Sequence, residues 1–207
     1  MKKSLLAVLL AVAMVVPAFA AKGDISVDAK VGLGVSNSFK LMGIDGESDA
    51  WEGFKAKTPF SVGADFFYGI SDIISVGLGA NYIFDAETKM NVGHGMEEKF
   101  KSGTTNIYVA VKPEFKIESD IFSNIYLIGQ IGLAMNRASI DVPEYFSETI
   151  DIDNGLYLGA GFGTTIKDCV IVELLFSSSN GSAAMDGDFG DVQYTATTFS
   201  VGYKFNI

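Results

Sequence analysis

The sequence has very few of the residues that usually carry chemistry: one Cys (Cys169), one His (His94) and one Arg among 207 residues. A single Cys excludes an internal disulfide framework. His94 stands alone as a metal ligand, and as a catalytic base it would need a nucleophile and an orienting acid nearby. We therefore interpret His94 as a solvated loop residue and expect no catalytic residues and no cofactor.

After residue 20 there is no apolar run long enough to cross a membrane as a helix. Residues 1–20 combine Lys2 and Lys3, an apolar stretch from Leu5 to Val16 and an Ala18-Phe19-Ala20 ending. This is typical of a secretory signal peptide with an A-x-A cleavage site, so the mature chain is expected to begin at Ala21. The alternative, a retained membrane anchor, is disfavoured because the apolar stretch is too short for a bilayer.

Positive charge is also scarce. The net charge is −10, and removal of Lys2 and Lys3 makes it −12. Nucleic acid is an unsuitable partner for so acidic a chain, because its phosphates require a basic surface. Hydrophobic residues nevertheless make up 48% of the sequence, which also contains 23 Gly, 16 Phe and 8 Tyr but no helical heptads. This composition favours an exported all-β protein.

Eight segments alternate apolar and polar residues with a period of two, which predicts β-strands. The connections between them alternate in length. Short ones lie at Ser71–Asp72, 118–123 and 167–169, and longer ones lie between the first two strands and near 85–104, 136–154 and 179–192. The eight segments are 25–35, 59–70, 74–84, 105–117, 124–135, 155–166, 170–177 and 197–207.

A soluble sandwich or lipocalin does not need alternating short and long connections. Bacterial outer-membrane barrels do, because short turns face the periplasm and long loops face the exterior, and their strand number is even. The sequence therefore predicts an all-β fold, an eight-stranded antiparallel up-and-down transmembrane β-barrel. Residues 21–207 are expected to form this domain, with four long extracellular loops and both termini in the periplasm.

The two faces of the predicted strands differ in charge. The apolar face carries no charged residue, as a lipid-facing surface requires, because a Lys or Arg at mid-membrane costs about 2–4 kcal/mol. The opposite face carries four acids and four bases, which suggests paired charges inside a closed lumen. In the alternative, a soluble barrel, these charges would face water and the apolar face would form the core. The predicted lumen charges are Asp28, Lys30, Asp65, Lys112, Glu114, Lys116, Glu173 and Lys204.

Glycines and aromatics support the same interpretation. The charged face is rich in glycine, which makes room in a narrow eight-stranded barrel for Tyr108 and Tyr126. The "GAGFG" stretch at 159–163 lacks the spacing of a nucleotide-binding turn and is interpreted as strand. Aromatics on the apolar face fall toward the strand ends, as expected for girdles at the two membrane interfaces. They are Phe60, Tyr82, Phe84 and Phe176 at the outer rim, and Tyr68, Phe115, Tyr203 and Phe205 at the inner rim.

With its signal peptide, eight strands, alternating loops and aromatic last strand, the sequence resembles the small OmpA/OmpX-type outer-membrane β-barrel proteins, including the opacity-like adhesins. The resemblance covers essentially all of 21–207. It implies a location in the outer membrane of a Gram-negative-type bacterium, with membrane lipid and lipopolysaccharide as surroundings. It also implies that the last strand is recognised by the barrel-assembly machinery, through Phe199, Val201, Tyr203, Phe205 and Ile207, although the family usually ends in Phe or Trp.

Three functions remain open. The resemblance favours a structural or adhesive surface role, with a host or surface ligand at the loops, whose scattered aromatics are Trp51, Phe54, Tyr145 and Phe146. A small porin-like diffusion channel is the alternative, disfavoured because eight strands leave little lumen. A lipid-modifying enzyme is disfavoured because His94 matches none of the settings found in the family's enzymes.

Two details give further expectations. The clusters with Asp151 and Asp153, and with Asp186, Asp188 and Asp191, place carboxylates at alternate positions, which suits Ca²⁺, but neither matches an EF-hand loop. Solvated loop charges are the favoured interpretation, and weak cation bridging to lipopolysaccharide phosphates is the alternative. Pro113 lies within a predicted strand of a closed barrel, where it removes a ladder hydrogen bond, so irregular pairing or a bulge is expected there.

Overall fold

The computed structural model describes residues 23–42, 54–55, 58–91, 97–142, 146–150, 152–185 and 188–207. These residues form ten strands, and the described part of the chain contains no helix long and apolar enough to cross a membrane. The strands are β1 (Ile25–Met42), β2 (Phe54–Lys55), β3 (Phe60–Gly69), β4 (Ile74–Asn91), β5 (Glu97–Lys116), β6 (Phe122–Val142), β7 (Phe146–Ile150), β8 (Gly155–Ile166), β9 (Val170–Met185) and β10 (Asp188–Asn206).

Eight of these strands form a closed barrel. β1, β3, β4, β5, β6, β8, β9 and β10 pair with their neighbours in chain order, all antiparallel, and β10 returns to pair with β1 from Ser26↔Asn206 onward. The two-residue β2 and five-residue β7 add to β1 and β6 outside this ring. The predicted eight-stranded antiparallel up-and-down barrel is therefore confirmed.

Three tight connections lie at one end of the barrel, which we call the turn end; the opposite end is the loop end. Between β3 and β4, Ser71 Oγ accepts hydrogen bonds from the backbone N–H groups of Ile73 and Ile74. Between β8 and β9, Lys167 and Asp168 adopt left-handed backbone conformations with φ of 48° and 59°. Such positive φ values suit a hairpin turn whose twist matches that of its strands.

The strands reach farther toward the loop end than the sequence predicts. Segment 85–104 was expected to be loop, yet β4 continues to Asn91 and β5 already begins at Glu97. Likewise β6 continues to Val142 and β9 to Met185. Apolar alternation is lost in these extensions because their outward face no longer needs to be apolar, while the hydrogen-bond ladder continues regardless of side-chain type.

The barrel is apolar outside and polar inside. On β1, Ser26, Asp28 and Lys30 are buried while Val31 and Leu33 are 52% and 53% exposed. This is the reverse of a soluble barrel, whose apolar face fills its core. The predicted assignment of the apolar face to the outside is therefore correct.

Pro113 interrupts the sheet as expected. It pairs with Ile74 on β4, but the β5–β6 ladder skips Lys112 and Pro113, resuming from Val111↔Gly129 to Glu114↔Tyr126. The register is the same on both sides of the gap. The irregular pairing is thus a local loss of ladder contacts and not a bulge.

Candidate functional site

The centre of the lumen is occupied by a buried ion triad on three strands. Lys30 Nζ lies 2.7 Å from Asp65 Oδ2 and 2.8 Å from Glu173 Oε1. Tyr108 donates its hydroxyl hydrogen to Asp65 Oδ1 at 2.8 Å, and Tyr126 donates to Glu173 Oε2 at 3.1 Å. The two carboxylates thus share one ammonium, and each also accepts a hydrogen bond from a tyrosine, so neither is left without a partner.

A second ion cluster lies closer to the turn end. Lys112 Nζ is 3.0 Å from Asp28 Oδ2 and 3.3 Å from Glu114 Oε1. The Lys112 ammonium also sits 3.9 Å from the centre of the Phe67 ring, a cation–π contact inside the lumen. Lys204 lies 3.5 Å from Glu114 Oε2, which also accepts a hydrogen bond from Asn124 Nδ2.

The structure brings seven of the eight predicted lumen charges into these two groups. Lys116 is the exception, because it is exposed at the last position of β5, at the turn end. The lumen ion pairs join residues far apart in sequence, such as Lys30 and Glu173. Closure of the barrel, which periodicity alone does not describe, places them in contact.

Uncharged polar side chains fill the lumen toward the loop end, and these were not singled out in the sequence. Tyr157 donates to Gln130 Oε1 at 2.7 Å, and its ring stacks on Tyr108 with centroids 5.4 Å apart. Asn106 donates to Asn81 Oδ1 at 2.7 Å. A signal for Tyr157 was present, because it has the opposite phase to Leu156 and Leu158 on β8.

The space left in the centre is small. A cavity of about 20 Å³ beside Lys30, Tyr108 and Glu173 is large enough for about one water molecule. The rings of Tyr108, Tyr157 and Phe67 are each about 1% exposed. The lumen is therefore a packed polar core and not an open passage.

Gly79 makes room for the Tyr108–Asp65 hydrogen bond. A Cβ at this position would collide with Asp65 Oδ1 and with the Tyr108 ring. We therefore expect Gly79→Val to break this hydrogen bond and to lower the free energy of unfolding by about 1–3 kcal/mol, the usual cost of overpacking. Urea unfolding of the protein in lipid vesicles measures this loss. Gly129→Val is the matched control, because a Cβ at Gly129 has no atom within 4 Å and points outward; an equal loss in both variants would contradict the prediction.

The predicted interface aromatics lie on the outer surface in two bands, with one exception. Near the loop end, Phe84 packs against Phe60 and Tyr82, with ring centroids 5.6 and 4.8 Å apart. Near the turn end, Tyr203 and Phe205 pack with centroids 4.7 Å apart. Phe115 and Phe176 are 47% and 50% exposed.

Tyr68 is the exception among the aromatics. It is only 9% exposed, and its hydroxyl accepts a hydrogen bond from the Gly23 N–H at 3.0 Å. The chain that leads into β1 therefore contacts this ring. Strand alternation alone predicts an exposed ring at Tyr68 and does not show this contact.

The last strand presents its alternate side chains outward. Phe199, Val201, Tyr203 and Phe205 are between 42% and 50% exposed, and Ile207 is 79% exposed. β10 is held on both sides, by β9 and by β1. The residues expected to be read by the assembly machinery thus lie on the outer surface of the strand that closes the barrel.

Several loop residues lie outside the described part of the chain: His94, Trp51, Tyr145, Asp151 and Asp186. Phe54 and Phe146 belong to the short strands β2 and β7. Among the residues the structure describes, no group of three or more His, Cys, Asp or Glu side chains is arranged to hold a metal ion.

Comparisons with known proteins point to one family. A family model described as the outer membrane protein β-barrel domain matches residues 5–205. An uncharacterized protein of Pasteurella multocida (strain Pm70) is 25% identical over 220 residues, which cover 91% of this chain and 92% of that protein. The solved structure of Ail, the attachment invasion locus protein of Yersinia pestis, is 16% identical with a TM-score of 0.52, covering 89% of this chain and all of that one. Ail has also been solved in complex with the heparin analogue sucrose octasulfate, at 14% identity, a TM-score of 0.50 and the same coverage.

Proposed function

Because the chain belongs to the outer membrane protein β-barrel domain family, we propose that it is a surface protein whose structural or adhesive role is carried by the loop end. In this proposal residues 1–20 are removed on export, the turn end faces the periplasm and the loop end faces outward. The barrel-assembly machinery recognises the outward residues of β10, and outer-membrane lipid contacts the apolar outer face.

The packed lumen is the observation that carries this proposal. In the part of the lumen that the structure describes, ion clusters, stacked tyrosines and a cavity with room for about one water leave no space for a substrate. The strands β4, β5 and β6 extend beyond the apolar outer face, and their paired ends hold the loops away from the membrane. Ligand contact is therefore assigned to the loop end. We also propose that the protein is not an enzyme, because a single His and a single Arg are a poor inventory for the acid–base chemistry of a lipid-modifying enzyme.

The charge of the loop end narrows the class of ligand. The segments 36–59, 85–104, 136–154 and 179–192 contain 16 Asp and Glu residues against 7 Lys and Arg residues. The solved complex of Ail contains a sulfated, polyanionic heparin analogue. Acidic loops repel polyanions in solution and attract basic partners, so we propose that the loops favour a basic protein surface or a ligand bound through cations.

Exchange of the loops tests the adhesive role. Replacing 43–53 and 143–145 by Gly-Ser linkers of equal length is expected to abolish binding of whole cells to a basic ligand surface, while the barrel stays folded. Binding to immobilised polylysine, a polycation, and to immobilised heparin, a polyanion, is measured side by side. The comparison shows whether the preferred ligand is positively or negatively charged. The proposal fails if the loop-exchanged protein, shown to be folded by its heat-dependent gel mobility, binds as well as the unchanged protein.

The channel alternative makes a separate prediction. Since the lumen is packed, we expect the refolded mature protein to show no discrete conductance steps in a planar bilayer. The double variant Tyr108→Ala/Tyr157→Ala removes the stacked rings and is expected to introduce small steps. Discrete steps in the unchanged protein that respond to Asp65→Asn would instead establish a porin-like channel.

A further inference from the structure

A polar cluster lies on the outer surface of the barrel where the band of exposed apolar side chains, the apolar belt, ends on the side of the loop end. The apolar outward series of β6 runs from Ile125 to Met135, and the next outward residue is Arg137. At about 3.3 Å per residue and a tilt of about 40°, that series measures roughly 25 Å across the membrane, the height of the apolar band in such barrels. The only Arg of the sequence thus lies at the level of the lipid headgroups on the loop side.

Three strands position the Arg137 guanidinium. Its Nη1 donates to Thr105 Oγ1 at 2.7 Å, and its Nη2 donates to the Ile83 carbonyl at 3.2 Å and to Asp85 Oδ1 at 3.3 Å. Its Cζ lies 4.5 Å from the centre of the Tyr82 ring. The guanidinium has five N–H donors, so these contacts leave two of them without a partner in the described part of the chain.

A bulge creates this cluster. The β4–β5 register shifts by one residue between Ile83 and Ala86, so both Phe84 and Asp85 are exposed on the outer surface. Bulges redirect side chains in this way, and they are structural features rather than defects of a sheet. The result is an arginine whose Cζ lies over Tyr82, 4.5 Å from the ring centre, beside the aromatic contacts of Phe84 with Phe60 and Tyr82.

We propose that Arg137, with Tyr82 and Phe84, binds a phosphate group of a phosphorylated, acylated saccharide lipid in the outer leaflet. A guanidinium is a strong hydrogen-bond donor to phosphate oxygens, and its orientation here is already set by Thr105 and the Ile83 carbonyl. The Arg137 side chain is 34% exposed, so its remaining donors are accessible. The aromatic surface directly below provides the apolar contact for the acyl chains of the same lipid. The orientation of the barrel that this requires rests on the proposed function.

Asp85 allows this proposal to be distinguished from a purely structural contact. As a tie between strands, the Arg137–Asp85 pair would lose the same stability whichever partner is removed. As part of a phosphate site, Asp85 repels the ligand while Arg137 attracts it. We therefore expect Arg137→Gln and Asp85→Asn to change lipid binding in opposite directions.

The test titrates the folded mature protein in detergent with lipopolysaccharide, and measures lipid bound per barrel after gel filtration. Arg137→Gln is expected to weaken binding by about tenfold or more, the effect of losing hydrogen bonds to a charged group. Asp85→Asn is expected to tighten it severalfold. Lys167→Asn is the matched control, because it removes one positive charge at the exposed turn end and Asn tolerates the left-handed backbone there.

Two probes separate a lipid site from a general anion site. Dephosphorylated lipopolysaccharide is expected to bind the unchanged protein as weakly as intact lipopolysaccharide binds the Arg137→Gln variant. Millimolar inorganic phosphate is expected not to compete with lipopolysaccharide for the unchanged protein. Equal binding by the unchanged protein and Arg137→Gln would overturn the proposal, as would full competition by inorganic phosphate or equal weakening in both single variants.

Orientation is tested separately, so that the two proposals can fail independently. Ser139→Cys, in a Cys169→Ser background, places a thiol on the same outward face beyond Arg137. Labelling by an impermeant maleimide on intact cells is expected. Absence of labelling would contradict the surface role of the loop end, whereas the titration in detergent would still report whether Arg137 binds phosphorylated lipid.

Discussion

Replacing Lys30 by Met is expected to destabilise the barrel by about 3–5 kcal/mol, the cost of removing one partner from a buried ion cluster. Asp65 and Glu173 would lose their shared counter-ion while their side chains remain 0% and 2% exposed. The hydrogen bonds from Tyr108 and Tyr126 remain, but they do not replace a full positive charge. Urea unfolding in lipid vesicles, followed by heat-dependent gel mobility, measures the loss.

Two further variants make this prediction specific to the triad. Lys204→Met removes a lysine whose contact with Glu114 is 3.5 Å and whose side chain is 15% exposed, so a loss of only about 1 kcal/mol is expected. The triple variant Lys30→Met/Asp65→Asn/Glu173→Gln leaves no unpaired charge and should recover most of the stability. Equal losses for Lys30→Met and Lys204→Met would show that the triad is not the main electrostatic contact of the lumen.

An arginine in place of Ile131 is expected to cost about 2–4 kcal/mol in a bilayer, because it puts a charge on the lipid-facing surface near mid-membrane. Ile131 lies near the middle of the outward apolar series of β6 and is 51% exposed. On a soluble protein an exposed isoleucine could become arginine with little effect, usually within about 0.5 kcal/mol. The measurement therefore reports directly what surrounds the apolar face.

Ser139→Arg provides the control on the same strand and the same face. It lies beyond Arg137, outside the apolar belt, where a new charge is expected to cost at most about 1 kcal/mol. Both variants would be refolded into vesicles of the same lipid and unfolded in urea. Similar stabilities for Ile131→Arg and Ser139→Arg would contradict the assignment of the apolar face to lipid.

Local patterns predicted the strands well where lipid dictates the alternation, and poorly where it does not. The segments with apolar outward residues, such as 74–84, appear as strands in the structure. Their continuation to Asn91, and the start of β5 at Glu97, had no such signal because charged residues such as Glu87, Lys89 and Lys99 replace the apolar residues of the alternation there. Alternation on β8 also contained a signal for an inward Tyr157 that the sequence analysis did not use, and its partners Tyr108 and Gln130 belong to other strands.

The sequence by itself determined that the chain forms strands with one apolar, uncharged face and one polar face, because a period of two places alternate side chains on opposite faces. The alternating loop lengths then favoured a membrane barrel with the apolar face outward. The sequence also determined where most of the short turns lie. The tertiary structure decided which charges meet, since Lys30 and Glu173 are 143 residues apart and touch only because the barrel closes between β10 and β1. It likewise decided that Arg137 meets Asp85, because a one-residue bulge changes which way a side chain points and leaves no periodic trace in the sequence.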